Sequence, residues 1–198
     1  MNRSLNQILM LVLVLLVPLM SFAHDVEIDE IFYNLDNEKK EATVTYKGCC
    51  SDNEDYTRFV VIPSSVQYNG VRYSVTAIGD GAFNNCIRLR SVTIPNTVTS
   101  LGEKAFAKCN GLTSFTIPNS VTSIGKKAFY LCTDITSIEI PNSVQSIGSH
   151  AFFGCSSLAS ITIPYSVTCI ADSTFSYCYF TCHCEERKRR GNLLQSLT

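Results

Sequence analysis

Cysteine is the residue type in this sequence whose spacing most invites chemistry. Ten cysteines occur among 198 residues, and five of them recur 23 positions apart. The five are Cys86, Cys109, Cys132, Cys155 and Cys178. In an exported protein, stacked neighbours at this spacing could come within disulfide range. A column of cysteines in identical surroundings is also typical of small, buried apolar side chains, and we predict that Cys109, Cys132 and Cys155 are reduced and buried.

Metal ligands gather only near the C-terminus, where Cys178 is followed by Cys182, His183 and Cys184. No second ligand pair follows at the spacing of a zinc site. We therefore expect no metal and no other cofactor. The adjacent pair Cys49-Cys50 could form a disulfide, with a partner that the sequence does not identify.

Catalytic residues would have to include a nucleophile, a base and an orienting group that converge. The serines and threonines instead recur with the same period of 23, and the three histidines, His24, His150 and His183, stand in unrelated contexts. We therefore expect no enzymatic activity. The net charge of -1 argues against a nucleic-acid partner, because phosphate binding needs a basic surface.

The periodic residues belong to one repeat that organises the chain. Its pattern is Leu-x-x-Val-x-Ile-Pro-x-x-Val-x-x-Leu-Gly-x-x-Ala-Phe-x-x-Cys, and copies begin at Leu89, Leu112 and Ile135. A fourth copy begins at Leu158 and departs from the pattern after Phe175 and Cys178. A fixed period of this length indicates a solenoid.

Each copy begins with the alternation of a short strand. In the second copy, Phe115 and Ile117 are predicted to point inward, and Ser114 and Thr116 outward. Successive copies would pair these strands into a parallel sheet, with about 4.8 Å between strands. Pro118 has no amide donor, so the ladder should stop before it.

The rest of each coil is predicted to cross a second side, bend at a glycine and close with one turn of helix. Gly125 would permit the bend, and residues 128–132 would form the helical turn. The predicted fold class is therefore α/β, β-rich: a repeat solenoid with 23-residue coils. Its spine should be a stack of phenylalanines, namely Phe83, Phe106, Phe129, Phe152 and Phe175.

Two β-hairpins are predicted before the regular repeats. Alternating residues flank a polar turn at residues 36–40, and we interpret this hairpin as the N-terminal cap of the solenoid. Asn69-Gly70 between β-forming residues predicts a second hairpin, inserted in the first coil.

The N-terminus is typical of a secretory signal, with Arg3 followed by an apolar run at residues 8–16 and Ala23 at the cleavage position. The run is short for a membrane anchor and Pro18 interrupts it, so we expect no membrane span after cleavage. The predicted divisions are a signal peptide at 1–23, the hairpin cap and a loop at 24–58, the solenoid at 59–181 and a disordered or aberrant tail at 182–198.

The repeat resembles the leucine-rich repeat of BspA-like bacterial surface proteins, over roughly residues 59–178. In ordinary leucine-rich repeats an asparagine bonds neighbouring coils; here hydroxyl residues take that place and could form a substitute ladder. They are Thr97, Ser120, Ser143 and Ser166. The resemblance implies secreted or surface display, adhesion and protein binding.

The expected function is a secreted or cell-surface binding module whose partner is a protein or glycan at a host or bacterial surface. A structural surface component and a truncated, nonfunctional fragment are the alternatives. The candidate contacts are the outward strand positions and two tyrosines of the inserted hairpin, expected to be exposed. They are Tyr68, Tyr73, Ser91, Thr93, Ser114, Thr116, Ser137, Glu139, Ser160 and Thr162.

Overall fold

The computed structural model describes residues 26–46, 56, 58–171 and 173–179. The predicted signal peptide at 1–23, the pair Cys49-Cys50 and the predicted tail at 182–198 lie outside these residues. Strands and turns make up the described part of the chain, which contains no helix. Accordingly, no helix there has the length and apolar character needed to cross a bilayer.

Fourteen strands occur in the described residues. They are β1 (Val26–Ile28), β2 (Ile31–Asp36), β3 (Glu41–Val44), β4 (Phe59–Val61), β5 (Ser65–Tyr68), β6 (Val71–Ile78), β7 (Ser91–Thr93), β8 (Ser100–Leu101), β9 (Ser114–Thr116), β10 (Ser123–Ile124), β11 (Ser137–Glu139), β12 (Ser146–Ile147), β13 (Ser160–Thr162) and β14 (Cys169–Ile170).

The N-terminal strands form two successive antiparallel pairs. The pair of β2 and β3 is the predicted hairpin, and Asp36 Oδ1 organises its turn by accepting the backbone N–H groups of Glu38 and Lys39, each at 2.9 Å. The apolar run before it is not one strand, because the chain reverses between β1 and β2. Asp29 and Glu30 form that reversal with φ of 50° and 65°, values that suit a two-residue hairpin turn.

The inserted hairpin is present as predicted. Strands β5 and β6 pair antiparallel, and the turn residues Asn69 and Gly70 have φ of 49° and 78°. Strand β6 also pairs in parallel with β3 on one side and β8 on the other. It therefore joins the N-terminal strands, which we interpret as the cap, to the solenoid.

Each coil contributes one strand to each of two sides. The first side carries β4, β7, β9, β11 and β13, and the second side carries β6, β8, β10, β12 and β14. Pairing is parallel, with partners 23 positions apart in the regular coils, as in Ser114↔Ser137 and Ser123↔Ser146. Between β4 and β7 the partners are Phe59↔Ser91, because the inserted hairpin lengthens the first coil. On the first side, however, β4–β7 and β9–β11–β13 form separate sheets, so the prediction that successive copies pair into one sheet is wrong between β7 and β9. Between the two sheets the Arg90 guanidinium donates to the Gly111 carbonyl oxygen at 3.1 Å.

The predicted helical turn is wrong: residues 127–131 form successive β-turns instead. Lys127 and Leu131 have φ of 57° and 56°, outside the helical region. Alternate amides serve different partners, since Phe129 N–H donates to Ala151 O of the next coil at 2.7 Å, and Tyr130 N–H donates to Lys127 O at 3.0 Å. A helix would use all these amides within one coil, so bonding between coils excludes it here.

Glycine ends the second side because the coils approach closely, and not because the turn needs a positive φ. A Cβ on Gly125 would lie 2.5 Å from the carbonyl carbon and oxygen of Gly102. The sequence predicted a bend at Gly125 that depends on the conformational freedom of glycine. The structure instead requires glycine there because the backbone of Gly102 lies so close.

The core is the predicted stack of phenylalanine rings. The four successive ring centroid distances are 5.0, 5.5, 5.2 and 5.4 Å, with interplanar angles of 3° to 10°. Phe115 packs its ring edge against both Phe106 and Phe129, with centroids 4.8 Å away in each case. The stack runs along the solenoid axis and holds the coils in register.

Candidate binding surface

A groove of about 1020 Å³ lies over the sheet formed by β9, β11 and β13. Its lining includes six of the ten predicted contact residues, because the outward positions of the three strands meet there. They are Ser114, Thr116, Ser137, Glu139, Ser160 and Thr162. Parallel pairing aligns them in two rows across the strands, one through Ser137 and the other through Glu139.

The polar strip is a direct consequence of the strand alternation. In β9 and β11 the outward residues are exposed, while the central residues Phe115 and Ile138 are only 5% and 6% exposed. Because these central side chains anchor each strand in the core, the hydroxyls are held on a rigid support. The prediction of inward and outward positions is confirmed here.

Asparagines and one tyrosine extend the lining beyond the strand ends. Asn119, Asn142 and Tyr165 follow the proline of successive coils and all line the groove. Tyr165 is 65% exposed. Sequence reasoning missed this aromatic side chain, although the replacement of Asn by Tyr at one repeat position was a signal that could have identified it.

Electrostatically, the groove is almost uncharged. Glu139 is the only charged side chain among the described residues that line it, and no lysine, arginine or histidine lies among them. The surface therefore offers hydroxyls, amides and a single carboxylate, which can donate and accept hydrogen bonds but cannot neutralise an anion.

The predicted contacts Ser91 and Thr93 lie elsewhere on the first side, on β7 in the separate sheet with β4. In β4 the corresponding outward residues are Phe59 and Val61, with exposed fractions of 68% and 69%. The outward row on this side is thus polar over four coils, from β7 to β13, and apolar only at β4 in the first coil. This difference is visible in the sequence, because the first copy has Phe59 and Val61 at the positions where the next copy has Ser91 and Thr93.

The two tyrosines of the inserted hairpin do not share one surface. Tyr68 is 41% exposed, whereas Tyr73 is 3% exposed and its hydroxyl donates to Asn37 Oδ1 at 2.5 Å. The prediction that Tyr73 is an exposed contact residue is wrong, because its ring is used to pack β6 against the N-terminal strands. Neither tyrosine lines the groove.

The predicted hydroxyl ladder is formed at only one of its four positions. Ser120 Oγ donates to the Val98 carbonyl oxygen of the preceding coil. The hydroxyls of Thr97, Ser143 and Ser166 are buried without a hydrogen-bond partner in the described part of the chain. Threonines elsewhere make links between coils, for example Thr122 Oγ1 to the Thr99 carbonyl oxygen at 3.2 Å.

The periodic cysteines belong to the core, as predicted, and none of the five forms a disulfide in the described part of the chain. Cys86, Cys109, Cys132 and Cys155 are buried, and Cys178 is partly exposed. Burial raises the pKa of the Cys132 thiol to about 12, so this side chain stays protonated at neutral pH. No group of three or more histidine, cysteine or acidic side chains in the described ranges could hold a metal ion; Cys182, His183 and Cys184 lie outside them.

Comparisons with known structures find the same repeat architecture in bacterial proteins. A leucine-rich repeat protein from Bacteroides ovatus is 36% identical with a TM-score of 0.70, over 79% of this chain and 40% of its own. A leucine-rich cell surface protein from Faecalibacterium prausnitzii is 35% identical with a TM-score of 0.66, over 79% of this chain and 42% of its own. The chain thus spans about two-fifths of the length of these two proteins.

A more distant structure extends the likeness. The leucine-rich repeat protein of T. pallidum is 28% identical with a TM-score of 0.67, over 78% of this chain and 67% of its own. A search of curated proteins found no match.

The family itself is defined by the repeat. The model of the BspA type leucine-rich repeat region matches residues 59–181 in six copies. This range covers more than half of the chain and includes every strand from β4 to β14. The chain belongs to the BspA-type leucine-rich repeat family.

Proposed function

We propose that this protein is a noncatalytic, exported binding module that holds its partner in the groove over β9, β11 and β13. The observation that carries the proposal is the alignment of outward polar side chains from three hydrogen-bonded coils along one groove of about 1020 Å³. Such a surface is preorganised by the sheet and by the phenylalanine stack beneath it, so little order has to be imposed on binding.

Surface display supports this assignment. Residues 1–23 are typical of a secretory signal, and the Faecalibacterium prausnitzii relative is described as a cell surface protein. Repeat families of this kind commonly mediate protein interactions through extended surfaces. A protein or glycan at a host or bacterial surface is therefore the proposed partner.

The groove is polar, so each contact would contribute little to the binding free energy. Net hydrogen-bond contributions are about 0.5–1.5 kcal/mol each, and the lining offers one exposed aromatic ring, Tyr165, as an anchor. Adhesion through such a surface would depend on several molecules displayed together, because multivalency raises the apparent affinity without new contacts.

The test is retention of surface components by the immobilised mature chain, residues 24–198. Thr116→Lys and Glu139→Lys both place a long cation in the groove, and each should reduce retention while the circular dichroism spectrum stays unchanged. Gln145→Lys introduces the same side chain at an exposed position before β12, outside the groove, and serves as the matched control.

Unchanged retention by the two folded groove variants would exclude the groove as the contact surface. If the unmodified chain retains nothing from extracts of host matrix or neighbouring bacterial surfaces, the structural alternative is favoured over adhesion.

A further inference from the structure

We propose that the ligand of the groove is a neutral, extended glycan chain that runs along the solenoid axis across β9, β11 and β13. This inference rests on the proposed binding function and specifies its partner class. Three features of the groove carry it: the spacing of its polar rows, its charge and the position of Tyr165.

The spacing of the polar rows matches a polymer with one hydroxyl-bearing unit per coil. Ser114, Ser137 and Ser160 are direct register partners across the three strands, and adjacent strands lie about 4.8 Å apart. A pyranose ring in an extended, β-linked chain advances by nearly one strand spacing. An extended peptide advances only about 3.3 Å per residue. Its successive residues would therefore not align with the successive strands of the groove.

The charge of the lining selects a neutral ligand. With Glu139 as its one charged side chain, the groove would repel an anionic polymer and offers no described cation to hold it. Hydroxyl and amide groups dominate instead, and both kinds donate as well as accept. A sugar chain, whose hydroxyls also donate and accept, can satisfy them in either direction.

The shape of the groove favours a glycan over a peptide. Peptide recognition relies on pockets for alternate side chains, whereas the apolar side chains between the two polar rows, Phe115 and Ile138, are only 5% and 6% exposed. Tyr165 at the edge of β13 is 65% exposed. A tyrosine ring offers an apolar face with a polar tip, which suits stacking on a sugar ring at one end of the chain.

The experiment measures binding of defined neutral oligosaccharides to the intact mature chain by titration calorimetry and NMR. The probes are cellohexaose, chitohexaose and mannohexaose, with hexagalacturonate as the anionic comparison. We expect at least one neutral probe to bind, and hexagalacturonate not to bind.

Two variants locate the site, and a third serves as the control. Tyr165→Ala should weaken binding by about tenfold, as loss of an aromatic anchor does. Thr116→Val, which keeps the shape and removes the hydroxyl, should weaken it by a smaller factor. Tyr179→Ala removes an equally prominent aromatic, 83% exposed and outside the groove, and should change the affinity by less than twofold.

The outcomes separate this inference from the proposed function. If none of the neutral probes binds while groove variants still abolish retention of a surface protein, the glycan inference falls and the binding function stands. Binding that survives both Tyr165→Ala and Thr116→Val would place the glycan elsewhere and overturn the inference. Tighter binding of hexagalacturonate than of every neutral probe would also overturn it.

Discussion

The Cys132 thiol donates a hydrogen bond to the carbonyl oxygen of Phe106, 2.9 Å away in the preceding coil. The same carbonyl accepts the Cys109 N–H at 3.3 Å. Three further thiols repeat this link between coils, and the pairs are Cys109 to Phe83 at 3.0 Å, Cys155 to Phe129 at 3.2 Å and Cys178 to Phe152 at 3.0 Å. These four thiols, three of them buried, thus tie successive coils together as hydrogen-bond donors, a role that needs the protonated thiol.

Alkaline pH should destabilise the protein in part through Cys132. Burial raises the pKa of this thiol from 9.0 to about 12, so the unfolded chain releases a proton that the folded chain keeps. The corresponding stability is present in full below pH 9 and is lost as the pH rises from 9 towards 12. Urea unfolding at pH 7 and pH 10 measures how much the free energy of unfolding falls between the two pH values. This decrease should be smaller for Cys132→Ser than for the unmodified chain. An equal loss in both would contradict this assignment.

Truncation of the phenylalanine stack at its middle should be severe. Phe129 is fully buried and packs between the rings of Phe106 and Phe152. Phe129→Ala should therefore lower the free energy of unfolding by about 3–5 kcal/mol, measured by urea denaturation. Phe153→Ala, at a half-buried ring in the same coil as Phe152, removes the same atoms and should cost clearly less; equal costs would show that burial in the stack is not the cause.

Two glycines should respond to alanine for different reasons. In Gly125→Ala the new Cβ would lie 2.5 Å from backbone atoms of Gly102, so the stacked coils must separate. In Gly70→Ala nothing lies within 4 Å, and the penalty is only the strain of alanine at φ 78°. Denaturant midpoints should fall much further for Gly125→Ala, and the reverse order would refute the close-approach explanation.

Tyr56→Phe should destabilise the N-terminal end of the core. The Tyr56 hydroxyl donates to the Thr45 carbonyl oxygen at 2.9 Å and accepts the Phe32 N–H at 3.3 Å. Removing it leaves two backbone groups without this partner while the ring contact with Phe83 remains, so the expected cost is about 1–3 kcal/mol. Thermal unfolding measures the cost, and Tyr68→Phe at the exposed hairpin is the control, expected to be nearly neutral.

The period of the sequence was enough to predict most of the fold. The period identified the buried rings from Phe83 to Phe175 and the outward row through Ser114. It could do so because equivalent positions of a repeat occupy the same environment in every coil. The hairpin at Asn69-Gly70 was equally predictable, since its turn chemistry is local. The outward polar positions that line the candidate groove were predicted for the same reason.

What the sequence alone did not decide depends on partners in other coils or strands. The burial of Tyr73 follows from a bond to Asn37, 36 positions earlier, and the requirement for Gly125 follows from the backbone of Gly102. The turns at residues 127–131 replace a helix because their alternate amides bond the next coil. Local sequence patterns determine whether a side chain points inward or outward. The packing of stacked coils determines which residues that side chain contacts, and these contacts are visible only in the tertiary structure.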